Sequence, residues 1–233
     1  MTRFWLARLV SGDSWRAVRG YLVAGWWRSR HPVANPAALQ HFLSTRASLV
    51  AQSTLYGYLR ARSGAQFPDL FANDTFVQSI NIAKWPIWLA CLSDLSIFAG
   101  GLLARRANVP LHEVADLMNS TVEAILAATG VPGEAGPDFP QLADQVRARV
   151  RECDWPSVRD DDTPFSESPD ALVRWAPVVE EYKALDGKFV RNSVRFRWQD
   201  VRRDLRRDLD ADAVFAAIRP AASLHAASAA DGA

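Results

Sequence analysis

The chain has 233 residues, with 27 basic and 26 acidic side chains, a formal net charge of +1 and 49% hydrophobic residues. This composition supports a buried core and excludes a disordered chain, a uniformly basic nucleic-acid coat and an acidic tail protein. Two cysteines are too few for a disulfide scaffold or a four-cysteine zinc site, and the four histidines have no paired spacing. We therefore expect a reducing compartment, no metal site and no cofactor.

Residues 1–31 form a basic, tryptophan-rich segment. It carries six arginines against one aspartate, a balance of +5, and four of the nine tryptophans. Arg8 interrupts its apolar run, so the segment does not fit a secretory signal peptide. Basic amphipathic helices of this kind lie in a membrane interface, with tryptophan at headgroup level and arginine on anionic lipid, and they also dock on their own core or on a partner. The candidate contact residues are Trp5, Trp15, Arg16, Arg19 and Trp26.

The next part of the chain predicts two helices. Asn35 can cap a helix that starts at Pro36, a position where proline's missing amide is not needed, and the helix runs to about residue 62. A short connector covers residues 67–72. Asn73 or Asp74 can cap the second helix, which Pro86 then interrupts or kinks.

Residues 85–104 form the most apolar segment, with Asp94 as the one charge in twenty residues. The length suits a membrane-spanning helix, but a central aspartate is costly in lipid. A buried core helix is the favoured interpretation, and a transmembrane or re-entrant helix is the alternative. A buried carboxylate needs a polar partner. The candidate partners are Lys84, Asn81 and Arg46.

The second half of the chain continues with helical periodicity. Helices are predicted over 111–126 with an interruption near 119–121, then over 140–153, 168–185, 188–207 and 210–218. A loop is predicted over 130–140, a long loop and candidate subdomain boundary over 154–169, a break at residues 186–187 and a disordered tail over 220–233. No strand-period run occurs, so the fold class is all-α: one domain over residues 36–219, an irregular bundle of about six to eight helices. The predicted core includes Leu89, Leu92, Leu95, Phe98 and Val194.

Polar residues within apolar helices are the candidates for a site. Ser48, Gln52 and Tyr56 follow one another at a spacing of four and share a helical face, while Asn81, Lys84 and Asp94 belong to the following helix. A packed hydrogen-bonded network without chemistry is the alternative to a site. The nucleophile-elbow pattern, nucleotide-binding loops and zinc-protease motif are missing from the sequence. The candidate catalytic residues are Asp94, Lys84, Ser48, Ser53 and Ser79.

Residues 188–207 predict an arginine-rich helix. A stripe of Val190, Val194, Trp198, Val201 and Leu205 would face the core, and four arginines would line the opposite face. That face could grip phosphate on lipid or nucleic acid, or it could be a solvated face joined by ion pairs. The four residues are Arg191, Arg195, Arg202 and Arg206.

The runs SLVAQSTLYGYLRARSG, residues 48–64, and LFANDTFVQSINIAKW, residues 70–85, carry a family likeness. The segment of about residues 47–105 resembles a poorly characterised helical family of alphaproteobacteria that sometimes carries the label esterase. The resemblance implies a helical fold and hydrolysis of an ester. It transfers no catalytic residue to this chain.

The sequence leads to one functional hypothesis and one alternative. The hypothesis is a cytoplasmic, non-enzymatic helical protein, peripheral on the inner membrane, that acts at the membrane surface or on a membrane-protein partner. The alternative is a hydrolase that acts on a carboxylic ester through a polar site inside the bundle. Nucleic-acid binding is disfavoured by the near-neutral charge. Pairing of identical copies is left open.

Overall fold

The computed structural model describes residues 32–218. In that range the chain forms eight α-helices, one of them a single turn, and two short 3-10 turns, with no β-strand. The fold is therefore the predicted all-α bundle. The α-helices are α1 (Pro36–Ser63), α2 (Phe67–Leu70), α3 (Asp74–Arg106), α4 (Leu111–Thr129), α5 (Phe139–Arg151), α6 (Glu167–Trp175), α7 (Glu180–Asp208) and α8 (Ala211–Ala216).

Two asparagines start the long helices as the sequence predicts. The Asn35 side chain accepts a hydrogen bond from the Ala38 amide at 2.8 Å, and the Asn73 side chain accepts one from the Phe76 amide at 3.1 Å. Each bond satisfies a backbone donor that has no partner inside its helix. These caps set the starts of α1 and α3.

Helix α3 is the centre of the bundle. It packs against α1, α4, α5, α6 and α8, and its residues 86–103 are buried with the exception of Ala90. Among residues 32–218 it is the one helix long and apolar enough to cross a membrane, and 94% of its most apolar window is buried inside the bundle. The predicted core residues Leu89, Leu92, Leu95, Phe98 and Val194 are all buried.

Three predicted interruptions do not occur. Helix α3 continues through Pro86, whose missing amide removes one hydrogen bond from a helix that is packed on several sides. Helix α4 continues through residues 119–121, where the Ser120 hydroxyl donates to the Leu117 carbonyl at 2.9 Å. Helix α7 continues through Asp186 and Gly187.

The helix predicted over residues 168–185 is in fact two helices. Helix α6 ends at Trp175, and Ala176 takes an extended backbone with ψ 134°. The cause is Pro177, whose ring disfavours helical geometry in the residue before it. Helix α7 then starts at Glu180, so it is eight residues longer at its N-terminal end than the sequence predicts.

The segment between α5 and α6 packs into the core. Trp155 is buried against Gly100 of α3 and Val158 against Gly101. The Phe165 ring lies between the rings of Phe98 and Trp198, with centroid distances of 5.2 and 4.7 Å. The predicted long loop at 154–169 is thus anchored by aromatic packing. The predictions for residues 1–31 and 220–233 concern residues outside the described range.

Candidate functional site

Asp94 lies at the centre of the bundle and is fully buried. Its Oδ1 accepts hydrogen bonds from Arg149 Nη1 at 2.7 Å and from the Glu167 amide at 3.1 Å. Its Oδ2 accepts from the Ser168 amide at 2.8 Å and from Ser168 Oγ at 2.6 Å. Asp94 is therefore buried with polar partners, as predicted.

The partners that the sequence suggested for Asp94 were wrong. Lys84 pairs with the Glu134 carboxylate and donates to Asn81 Oδ1 at 3.3 Å. Arg46 pairs with Asp204 at 3.4 Å. Ten residues separate Lys84 from Asp94 on α3, which is about 15 Å along the axis and about a quarter turn around it. The polar residues that were predicted to share one interior site are thus separated: Lys84 and Asn81 lie in one group and Asp94 in another.

The Asp94 carboxylate acts as an N-cap for a different helix. Helix α6 starts at Glu167, and the residue at its own cap position, Ser166, makes no capping side-chain bond. The first two amides of α6, those of Glu167 and Ser168, donate to Asp94 instead. A negative charge at this end also complements the helix dipole. Asp94 thereby fixes where α6 begins and how it sits on α3.

Ser168 and Arg149 extend these contacts to two more helices. Ser168 Oγ accepts a hydrogen bond from Trp198 Nε1 of α7 at 2.9 Å. Arg149 of α5 donates to Ser93 Oγ at 2.9 Å and to the Pro164 carbonyl at 2.9 Å. We call Ser93, Asp94, Arg149, Ser168 and Trp198 the Asp94 cluster. It joins α3, α5, α6 and α7 through side chains that satisfy one another.

Electrostatics in the Asp94 cluster are governed by burial. Burial raises the pKa of Asp94, and the Arg149 guanidinium and the Ser168 hydrogen bonds oppose that rise. Burial also raises the pKa of Cys91 well above its ordinary value, and the nearby Asp94 adds to the effect. Cys91 is consequently held as a neutral thiol. Both Asp94 oxygens accept hydrogen bonds, and these bonds hold α5 and α6 against α3.

The three candidate nucleophilic serines bond to their own helices. Ser48 Oγ donates to the Ser44 carbonyl at 2.8 Å, Ser53 Oγ to the Val50 carbonyl at 3.2 Å and Ser79 Oγ to the Thr75 carbonyl at 2.9 Å. An activated serine directs its proton at a general base, whereas these protons point at backbone oxygens. The structure brings none of the three serines to the Asp94 cluster.

The remaining polar candidates lie at the edge of the core. Ser48, Gln52 and Tyr56 are all half-buried, in line with a shared helical face. The Tyr56 ring lies 6.4 Å from the Phe71 ring, and burial raises the pKa of Tyr56. This arrangement is aromatic packing at a helix junction.

Most of the predicted phosphate-binding arginines on α7 contact other side chains of the same molecule. Arg191 pairs with Asp170, and Arg206 pairs with Asp160 at 2.7 Å and donates to its carbonyl at 3.0 Å. The Arg202 guanidinium lies 5.8 Å from the Phe165 ring centroid. Arg195, by contrast, is exposed. Two of the four arginines, Arg191 and Arg206, are therefore in ion pairs within the bundle.

Helix α7 also carries a feature that the sequence analysis missed. Four large apolar side chains are exposed along its outer side: Tyr182 at 49%, Leu185 at 78%, Phe189 at 73% and Phe196 at 66%. Their spacings of three, four and seven place them on one helical face, opposite the buried valine stripe. We call these four residues the outer stripe. The same periodicity that identified the valine stripe could have identified it.

Arg149 and Ser168 were missed for a different reason. Arg149 precedes the buried Val150 and follows Val146 by three residues, so its position at the edge of the buried face was a usable signal. Nothing local indicated that it would reach Asp94. The predicted contacts Trp5, Trp15, Arg16, Arg19 and Trp26 lie outside the described residues. Within residues 32–218, no three His, Cys, Asp or Glu side chains group to hold a metal ion.

Comparisons with protein-family models, curated proteins and solved structures find no match to this chain. The likeness of residues 47–105 to an esterase-labelled family therefore stays an expectation from sequence.

Proposed function

We propose that this chain is a non-enzymatic helical protein that acts at the cytoplasmic membrane surface, with residues 1–31 as its anchor. The observation that carries the proposal is the structural use of the candidate catalytic groups. Asp94 caps α6 and pairs with Arg149, Lys84 pairs with Glu134, and the three candidate serines donate to backbone carbonyls. These groups support a rigid scaffold rather than a reaction centre.

The membrane part of the proposal is supported by the composition of residues 1–31. The net side-chain charge of +5 provides electrostatic attraction to anionic lipid, and the four tryptophans provide apolar contact area. Each basic side chain near an anionic surface contributes about 1 kcal/mol, and buried apolar area adds to it. Binding should therefore need acidic lipid and weaken as salt rises.

Vesicle sedimentation tests this proposal. The full chain should sediment with phosphatidylglycerol-containing vesicles at low salt and stay in solution with purely zwitterionic vesicles. A chain that starts at Pro32, and the double variant Trp15→Ser with Trp26→Ser, should both lose sedimentation. The matched control is Trp175→Ser, which removes a half-buried tryptophan of α6 outside the anchor and should keep the parent's binding provided that it stays folded.

Three results would count against the proposal. Folded full-length protein that does not sediment with acidic vesicles at low salt would contradict the anchor. Turnover of a chromogenic carboxylic ester, abolished by Ser48→Ala, Ser53→Ala or Ser79→Ala, would replace the non-enzymatic role with the hydrolase alternative. Binding to membrane preparations but not to protein-free vesicles would assign the contact to a membrane protein instead.

A further inference from the structure

The outer stripe of α7 groups four of the large apolar side chains that are exposed on the described helices. Tyr182, Leu185, Phe189 and Phe196 span fifteen residues of one helix face, about 21 Å in length. Exposed apolar side chains scattered singly are ordinary on protein surfaces, but a row of four on one helix face marks a contact surface.

We propose that the outer stripe binds the outer stripe of a second copy of this chain, with the two α7 helices antiparallel. In that arrangement Phe189 lies next to its own equivalent near the two-fold axis, and Tyr182 of one copy packs on Phe196 of the other. A two-fold contact uses the same patch on both copies and therefore closes as a dimer.

The charges of α7 select an antiparallel partner. Its first part, residues 180–188, has three acidic and two basic side chains, and its later part, residues 191–208, has seven basic and three acidic ones. Two antiparallel copies place the acidic end of each helix beside the basic part of the other. Antiparallel helix dipoles also attract. Like ends would meet in a parallel pair, which would be repulsive.

One charge pair sets the register. Glu181 and Arg195 are both exposed and lie on the same edge of the outer stripe, because fourteen residues return to within about 40° of the same direction. Across a two-fold axis near Phe189, Glu181 of one copy comes beside Arg195 of the other. The same exposed Glu181 carboxylate, at the edge of the outer stripe, opposes contact with anionic lipid. The observations therefore favour a second copy over a membrane as occupant.

The size of the stripe predicts a weak dimer. A large apolar or aromatic side chain buries up to about 200 Å², so four partly exposed ones on each of two copies bury on the order of 1,000 Å² in total. That area is at the low end for specific association, in the range of transient contacts, so we expect monomer and dimer to exchange. A dimer would present two anchors to a membrane, so this inference adds to the proposed function without depending on it.

Sedimentation velocity over a concentration series tests the dimer. The full chain should shift from monomer to dimer between about 1 and 200 µM. The double variant Phe189→Gln with Phe196→Gln should weaken dimerisation at least about tenfold, since buried aromatics dominate small interfaces. The matched control is Val131→Gln, which alters a valine that is 70% exposed but lies outside α7, and it should dimerise like the parent.

Charge reversal tests the antiparallel register. Glu181→Arg alone and Arg195→Glu alone should each weaken the dimer several-fold, and the two together should restore it, because the pair is then only reversed in direction. A full chain that stays monomeric at about 200 µM would overturn the proposal. So would loss of vesicle binding in the Phe189→Gln, Phe196→Gln variant without any change in self-association, which would make the stripe a lipid contact. Failure of the double reversal to restore the dimer would overturn the register.

Discussion

At the scale of single residues, Asp94 shows how a buried charge fixes the contact between two helices. Its two oxygens accept four hydrogen bonds and face one guanidinium, and it is fully buried. A buried ion pair of this kind adds little net stability compared with an apolar pair. Its contribution is specificity, because Asp94 defines the first turn of α6.

Loss of Asp94 should be strongly destabilising. Asp94→Ala leaves the Arg149 guanidinium with only the partly exposed Glu167 carboxylate, 3.1 Å away, as a counter-charge, and it leaves two α6 amides without acceptors. The free energy of unfolding should fall by about 3–5 kcal/mol. Chemical denaturation followed by circular dichroism measures this change. The control is Asp144→Ala, which breaks an exposed pair with Arg147 and should cost about 1 kcal/mol or less. Equal effects of the two substitutions would contradict the role assigned to Asp94.

Tyr58 makes the free energy of unfolding of the protein fall at alkaline pH. Its hydroxyl donates to Asp186 Oδ2 at 3.1 Å, and Arg62 pairs with the same carboxylate at 2.8 Å. Burial raises the pKa of Tyr58 from 10.0 to about 12, and the Asp186 hydrogen bond adds to that rise. The folded protein therefore keeps this proton where the unfolded chain has lost it, so the stabilisation is complete below pH 10.0 and disappears as the pH rises towards about 12.

Tyr58→Phe should remove this contribution to the loss of stability at alkaline pH. The variant cannot ionise at this position, so its unfolding free energy should decline less steeply between pH 10 and 12 than that of the parent. At neutral pH the lost hydrogen bond should cost about 1 kcal/mol. Urea titrations at several alkaline pH values provide the slopes. Tyr182→Phe keeps Tyr58 and should follow the parent, and identical slopes for Tyr58→Phe and the parent would show that Tyr58 is not responsible.

At the scale of elements, the segment between α5 and α6 is held by arginines from three helices. Arg105 of α3 donates to the Val158 carbonyl, Arg149 of α5 to the Pro164 carbonyl and Arg206 of α7 to the Asp160 carbonyl. An irregular segment has backbone acceptors that no helix satisfies, and these side chains supply donors. We call residues 152–166, which join α5 and α6, the strap; the three arginines fix its backbone onto the helices.

Two glycines of α3 allow the strap to approach closely. A Cβ atom on Gly100 would lie 2.7 Å from Trp155 Cε3, and one on Gly101 would lie 2.7 Å from Val158 Cβ. Gly100→Ala should therefore destabilise the protein by about 1–3 kcal/mol through overpacking, although alanine is the better helix former. The matched control is Gly57→Ala in α1, where nothing lies within 4 Å, and it should stabilise by about 0.5–1 kcal/mol. A stabilising effect at both positions would rule out the close approach.

At the scale of the whole molecule, residues 32–218 contain one continuous core. Buried residues from α1, α3–α8 and the strap form a single apolar cluster, and the Val33–Leu209 bridge ties the start of this range to the end of α7. A single core of this size is expected to unfold cooperatively.

The melting temperature of a chain that lacks residues 1–31 also tests the anchor. If residues 1–31 serve as a membrane anchor, a chain that starts at Pro32 should keep the circular dichroism spectrum of the full chain and melt within about 2 °C of it, because no core contact is lost. A sharp fall in melting temperature would instead indicate that the segment docks on its own bundle. Thermal scans of both chains, alongside the vesicle assay, separate the two.

The all-α fold, the valine stripe of α7 and the caps at Asn35 and Asn73 followed from the sequence, because each depends on residues within one or two helical turns. The local pattern was misleading at Asp186 and Gly187, where a turn-like pair continues as helix. There Gly187 is buried and Asp186 bonds to Tyr58 and Arg62 of α1, and these tertiary contacts outweigh the local preference.

The need for a polar partner at Asp94 was likewise readable from the sequence, since a charge inside twenty apolar residues must be compensated. The identity of the partners was decided only by the tertiary structure. Arg149 lies 55 residues and Ser168 lies 74 residues from Asp94 along the chain. The predicted partners Lys84 and Asn81 lie on the same helix as Asp94, only 10 and 13 residues before it. Helical periodicity reports which face is buried but not which helix will pack against it. That choice depends on how α5 and α6 fit onto α3, because in this arrangement the Asp94 carboxylate pairs with the Arg149 guanidinium and also accepts hydrogen bonds from the first two amides of α6.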